Sequence, residues 1–193
     1  MEKPDEILML EHQQGDQEAV AILFKRYQRP IFNFALRILG NRADAEDVTG
    51  DVFLSVSSKK DTYEPRGKFS TWIYTITRNA CLTRIRRRKP MFSLSWKPEH
   101  SEEEKDWDIP DPGSTPREAA NQKDLASKVA SAVKALPLPQ KEALVLREYQ
   151  GLSYEEISQV LNCSLEQVKI LIFRGRERLK KELPSFIAEE KYG

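Results

Sequence analysis

The sequence predicts an all-α protein in which two small helical domains are joined by a flexible acidic linker, the C-terminal domain being a helix-turn-helix. Three observations carry this. Apolar residues recur at three- and four-residue spacing through most of the chain, and no stretch alternates as a strand would. Residues 90–116 hold five prolines, seven acidic side chains and few aliphatics, too little apolar surface to offset the entropy lost on ordering. Near the C-terminus two capping boxes follow one another across a turn of about three residues, the signature of two short helices set at an angle.

The elements follow in order. Ile7 and Leu10 mark a helix over Glu6 to His12, and Val20, Leu23, Phe24 and Tyr27 a second over Gln17 to Tyr27. Pro30 is expected to restart the chain, with Ile31, Phe34, Ala35, Ile38 and Leu39 on one face until Gly40 ends the segment. Asn41 caps a helix through Ala45, Val48, Val52, Phe53 and Val56. Pro65 and Gly67 break the pattern, and a long helix runs from Phe69 to Lys89 with Ser70 or Thr71 at its start and Pro90 as its stop. After the linker the pattern resumes from Arg117 to Leu136. Pro139 suits the first turn of a helix over Gln140 to Tyr149, closed by Gly151 in a left-handed conformation. Ser153 with Glu156, then Ser164 with Gln167, form the capping boxes around the tight turn at Asn162 and Cys163, and the last helix ends near Leu183. The implied boundaries are residues 1–90, a linker over 91–116, and residues 117–193.

Composition excludes several classes. Cys81 and Cys163 cannot build a disulfide framework, and no Cys or His spacing suggests zinc. No apolar run reaches the roughly 18 residues that span a bilayer, so no direct membrane insertion is expected. The N-terminus lacks the basic and apolar regions of a signal peptide, which makes the cytoplasm the expected location. No nucleophile, base or phosphate-cradling glycine loop can be assembled, and no enzyme activity, bound metal or cofactor is expected.

Charge is segregated, although the net is only +1. Residues 65–98 carry nine basic groups and no acid; residues 1–64 carry 12 acids against 8 bases; residues 99–112 carry seven acids and Lys105. Such blocks belong to a chain that meets a polyanion with one part and something else with another. In the basic block, Arg84, Arg86, Arg87, Arg88 and Lys89 follow Phe69, Trp72 and Tyr74, a cation–aromatic mixture suited to single-stranded bases. In the last helix, burial of Val168 and Ile172 turns Lys169, Ile170, Phe173, Arg174 and Arg176 outward, where a helix-turn-helix places its base-reading residues. Asp44, Asp47 and Asp51 share one face of their helix, which leaves three readings: acids placed against a helix N-terminus, a docking face for a protein, or a metal site.

In order along the chain, Asp44 to Phe53 (DAEDVTGDVF), Phe69 to Asn79 (FSTWIYTITRN), Leu152 to Ser164 (LSYEEISQVLNCS) and Val168 to Leu179 (VKILIFRGRERL) resemble the extracytoplasmic-function sigma factors of the bacterial sigma-70 family. The resemblance covers nearly all of the chain except the linker. It implies a subunit that directs core RNA polymerase to promoters, gripping the β′ clamp helices and the β flap, and that is held by an anti-sigma factor until a signal arrives. By position, Asp44, Glu46, Asp47, Val48, Asp51 and Phe53 would bind polymerase. Phe69, Ser70, Thr71, Trp72, Arg78 and Asn79, with Arg84, Arg86, Arg87 and Arg88, would meet the melted −10 strand. Arg147, Ser164, Lys169, Ile170, Phe173, Arg174 and Arg176 would read the −35 duplex. The chain departs from the family pattern at Gly50, where a glutamine is usual, at Thr75, where a basic residue is frequent, and at Ile170 and Leu171, where small or basic residues are common. Two rival readings are a stand-alone helix-turn-helix regulator and a carboxylate–metal nuclease built on Asp44, Asp47 and Asp51.

Overall fold

The computed structural model describes residues 3–65, 67–88 and 116–183, the side chains of 116–125 excepted. Nearly all of the expected linker, 91–116, lies outside the described residues. Eight α-helices occur among the described residues: α1 (Asp5–Gln13), α2 (Gln17–Leu39), α3 (Arg42–Ser58), α4 (Phe69–Arg88), α5 (Pro116–Ala135), α6 (Leu138–Leu144), α7 (Tyr154–Leu161) and α8 (Leu165–Glu182). No strand occurs among them.

α2 is the axis of the N-terminal half. It packs on α1, α3 and α4 and carries Leu23, Ile31, Phe34 and Ala35 into a core shared with Leu8, Val52, Phe69 and Ile73, all fully buried. Asp16 starts it, its carboxylate accepting from the Glu18 and Ala19 amides at 2.8 and 3.3 Å. The expected restart at Pro30 does not occur, and α2 runs unbroken through that residue. A proline inside a helix forfeits one backbone hydrogen bond and costs about 3 kcal/mol in isolation. Here buried side chains stand on both sides of it, Leu23 before and Ile31 and Phe34 after, so packing carries the helix through the defect.

α4 also starts differently. Its first residue, Phe69, is buried, and the Phe69 amide donates to the Glu6 carboxylate of α1 at 2.9 Å. The cap is supplied across the fold, not by Ser70 or Thr71.

The C-terminal half is built from α5 to α8 around Leu144, Leu146, Ile157, Val168 and Ile172. α6 continues into a π-helical turn, Val145–Tyr149, where a single long α-helix is expected from sequence. Gly151 (φ 69°) and Asn162 (φ 51°) take left-handed conformations after Tyr149 and α7, the one place where glycine or asparagine is favoured. Both capping boxes form: Ser153 with Glu156, and Ser164 with Gln167. α8 lies against α6 with Gly175 at the contact, where a side-chain carbon would collide with Leu144. Gly175→Val should therefore lower folding stability by about 2 kcal/mol through overpacking, read as a fall in the urea midpoint; an unchanged midpoint would contradict this contact.

Candidate nucleic-acid interface

α8 is the second helix of the helix-turn-helix, and its residues divide between core and surface. Val168, Ile172 and Gly175 turn inward, while Lys169, Ile170, Phe173 and Arg174 are exposed, Phe173 by 65% and Ile170 by 47%. Apolar side chains and cations thus share this face of the helix. Ser164 is spent on the helix cap. Arg147 and Arg176, expected on the same surface, serve the fold in this arrangement. Arg147 Nη1 donates to the Leu152 carbonyl at 2.8 Å and its guanidinium lies 5.0 Å from the Tyr154 ring centre. Arg176 Nη2 donates to Glu148 of the π-turn at 2.5 Å.

α4 divides its residues between core and surface. Phe69 and Thr71 are buried. Trp72 is partly buried, its ring 5.3 Å from Tyr63 and 5.8 Å from Phe69. Asn79, Arg86 and Arg87 point to solvent, and Ser70 lines a cleft.

The carboxylates of α3 do not act together. Asp44, largely buried, accepts from Arg84 Nε at 2.8 Å, and the Arg88 guanidinium meets its other oxygen. Arg84 also reaches Asp47. Two blocks of opposite charge, far apart in sequence, thus join α3 to the end of α4. Among the described residues no group of three His, Cys, Asp or Glu side chains could hold a metal ion, so the nuclease reading has no site there. Glu46 pairs with Arg42 at 3.0 Å, Val48 is buried, and Phe53 stands edge-on to Phe24 with centroids 4.6 Å apart. α3 offers outward Glu46, Asp47, Asp51 and Leu54, the last 71% exposed. Leu54 was legible by spacing, being three residues after Asp51 and seven after Asp47, and an exposed leucine beside two acids is the feature that charge alone passes over. Gly50 on the same helix has open space where a side chain would project.

The two halves touch, and both α2 and α4 take part in the contact. Tyr74 Oη donates to Gln150 Oε1 at 2.5 Å. Arg78 Nε donates to Glu142 Oε1 at 3.0 Å, with the Glu142 side chain only 3% exposed. Lys68 pairs with Glu156 at 3.0 Å, and the Arg37 guanidinium lies 3.9 Å from the Tyr149 ring centre. A cleft of about 410 Å³ opens beside these contacts, lined by Tyr27, Ser70, Tyr74, Tyr149 and Gln150 among others. A second groove of about 350 Å³ is bordered by Arg78, Glu142, Leu161, Cys163, Ile170 and Arg174. Residues expected at opposite ends of a promoter therefore border one groove. None of the partners Gln150, Glu142 or Glu156 could be found from sequence, since contacts across a long linker leave no local pattern.

Burial pushes the Cys81 thiol up to about 12, far from a reactive thiolate. Burial also raises the Glu142 carboxyl above its ordinary range, with Arg78 pulling it back only in part. An acid raised in the folded state contributes stability that is present below its ordinary value and is lost as pH rises through the raised value. The Arg78 pair thus compensates desolvation incompletely.

With this geometry in view, comparison with known proteins is direct. The chain matches the family model for sigma-70 region 2 over residues 23–90 and that for sigma-70 region 4 over residues 127–179. It belongs to the sigma-70 family, and within it to the extracytoplasmic-function RNA polymerase sigma factors. It is 33% identical over 170 residues to the ECF RNA polymerase sigma factor SigW of Bacillus subtilis (strain 168), covering 88% of this chain and 91% of that one. It is 29% identical over 186 residues to the ECF RNA polymerase sigma-E factor of Escherichia coli (strain K12), covering 95% and 96%. Among solved structures it is similar in fold to CnrH in complex with the cytosolic domain of CnrY, with TM-score 0.68, 23% identity and coverage of 94% and 97%. It is also similar to the sigma factor RpoE of Bartonella quintana in complex with the anti-sigma factor NepR, with TM-score 0.65, 22% identity and coverage of 85% and 96%. No helix among the described residues is long and apolar enough to cross a membrane.

The contact between the halves can be tested in solution. Arg78→Ala should separate them, because the buried Glu142 carboxyl would lose the guanidinium that pairs with it; small-angle scattering should report a larger radius of gyration. Adding Glu142→Gln should recover much of the closure. Equal radii for all three proteins would show that this pair does not hold the halves together.

Proposed function

We propose that this chain directs core RNA polymerase to promoters with three separate surfaces. The observation that carries the reading is α8, a capped second helix of a helix-turn-helix whose exposed side is cationic and apolar with Lys169, Ile170, Phe173 and Arg174. In this proposal α8 reads the −35 duplex, with the β flap behind it. Exposed Asn79, Arg86 and Arg87 of α4 meet the −10 strand, joined by Arg78, Arg84 and Arg88 when their present partners release them. Buried Phe69 and Thr71 shape that surface from beneath, and Trp72 stands half-accessible as a stacking platform. On α3, Asp47, Asp51 and Leu54 face the β′ clamp helices, while Asp44 holds α4 in register. Domain limits at residues 90 and 117 belong to the same proposal.

The chain supplies no catalytic group in this reading. Opening a duplex by capture of unstacked bases needs only binding energy that exceeds a few kcal/mol per base, and the polymerase performs the chemistry in the cytoplasm. An anti-sigma partner is proposed by likeness to the complexed relatives.

The closed arrangement cannot serve both elements at once. Sites about 25 base pairs apart lie roughly 85 Å apart along B-DNA at about 3.4 Å per pair, whereas Arg78 and Arg174 border one groove. Residues 89–115 join α4 to α5 and, at about 3.4 Å each, are long enough to span roughly 90 Å when extended. Opening between the halves is thus required and sterically allowed.

Run-off transcription by core polymerase on a pool of genomic promoters tests the reading: new start sites should appear only when the chain is added, and an identical set of starts without it would refute the proposal. In the same assay Arg174→Ala should lower transcription about tenfold or more on promoters that depend on their −35 element. Asp47→Asn should weaken co-purification with core polymerase by several-fold while leaving the thermal melt intact; full recovery of the complex would remove Asp47 from the docking face.

A further inference from the structure

The centre of the reading head is apolar, and this has consequences for what it reads. On α8 the exposed side runs Glu166, Gln167, Ile170, Phe173, Arg174 by three- and four-residue spacing. Gln167, the side chain best suited to bidentate recognition of adenine, has its carbonyl oxygen tied to the Ser164 amide at 3.0 Å. Glu166 stays ionised, held below the usual carboxylate range by hydrogen bonds from its own backbone amide and from Ser164. The Gln167 side-chain NH2 is left to donate, and the charged donors Lys169 and Arg174 stand on either side of Ile170. The side chain in the middle can neither donate nor accept.

We infer that Ile170, with Phe173 one turn on, recognises the 5-methyl group of thymine in the major groove of the −35 duplex. Thymine alone among the four bases presents a methyl group there, and apolar side chains are its partners. Ile170 and Phe173 are about 4.5 Å apart along the helix axis, close to the base step of about 3.4 Å. Two neighbouring thymines on one strand would therefore cover both side chains. Lys169 and Arg174 give the surface the positive charge that seats it on phosphates, which favours DNA over an apolar protein segment as the occupant. The inference rests on α8 being the −35 head.

The test alters the DNA, not the protein. A promoter that responds to the chain is prepared with deoxyuridine in place of each −35 thymine in turn, which removes one methyl group and nothing else. Run-off transcription by the reconstituted holoenzyme should fall about fourfold at one or two positions, the worth of one buried methyl at about 0.8 kcal/mol. Ile170→Ser should transcribe thymine and uracil templates equally at the position that Ile170 covers, and 5-methylcytosine there should restore part of the signal for the unaltered chain. Equal transcription from thymine and uracil at every position overturns the inference. So does an Ile170→Ser chain that keeps the full thymine preference, which would assign the apolar patch to a protein partner. Failure of the chain to stimulate any promoter would be a different result, and would sink the sigma-factor reading itself.

Discussion

The arrangement depends on α4 being shared between two cores. One side of it, through Phe69, Ile73 and Cys81, is sealed into the N-terminal half, and Tyr74 and Arg78 reach from it into the C-terminal half. The Arg78–Glu142 pair is the critical contact because it is the one most removed from water. Taking two charges out of solvent costs several kcal/mol per ion, and only good geometry offsets it. The carboxyl remains raised by burial despite the guanidinium beside it, so the offset is partial. Closure rests in part on polar pairs: Tyr74 with Gln150, Arg78 with Glu142 and Lys68 with Glu156. In the proposed opening of the halves, these hydrogen-bonded pairs are contacts that DNA phosphates and water could replace.

The same logic distributes the charges. The strongly basic stretch and the acidic start of α3 look, along the chain, like two surfaces for two partners. In space Arg84 and Arg88 are spent on Asp44 and Asp47, so two cations of the basic stretch are neutralised by two acids of α3. What is left facing outward is smaller and sharper: Arg86, Arg87 and Asn79 on one element, Asp47 with Asp51 and Leu54 on another, and the head of α8. Arg84 reaches Asp47 while that carboxylate remains more than half exposed, so a partner drawn to Asp47 would compete with the bond that steadies α4.

Most of the helices were legible because each is written locally. Asn41, Ser153 and Ser164 announce helix starts, and Gly40, Gly151 and Asn162 announce ends. The misreadings share one cause, that distant packing overrode a local rule. Pro30 reads as a break, but Leu23 and Ile31 are buried on either side of it and the helix continues. Phe69 reads as a stacking aromatic beside cations, yet it is sealed under Tyr27 and Tyr63. The π-turn over Val145–Tyr149 has no local signature; it sets Glu148 against Arg176 and Tyr149 against Arg37. Of the interface, the exposed residues of α8 followed from helical period alone. The pairing across the halves could not, since nothing within a window of ten residues encodes a contact spanning sixty.

The threonines of α4 carry one more consequence. Thr75 and Thr83 turn their hydroxyls back onto the carbonyls of Thr71 and Asn79, at 2.8 and 2.9 Å, and so present methyl groups to anything lying across the helix. Thr75 is thus a greasy, self-satisfied step on the helix. A strand draped along α4 would be gripped by shape near Thr75 and by electrostatics near Arg86 and Arg87. Added salt would loosen the second hold and leave the first nearly untouched, so the two ends of a single helix would let go of the same strand at different ionic strengths.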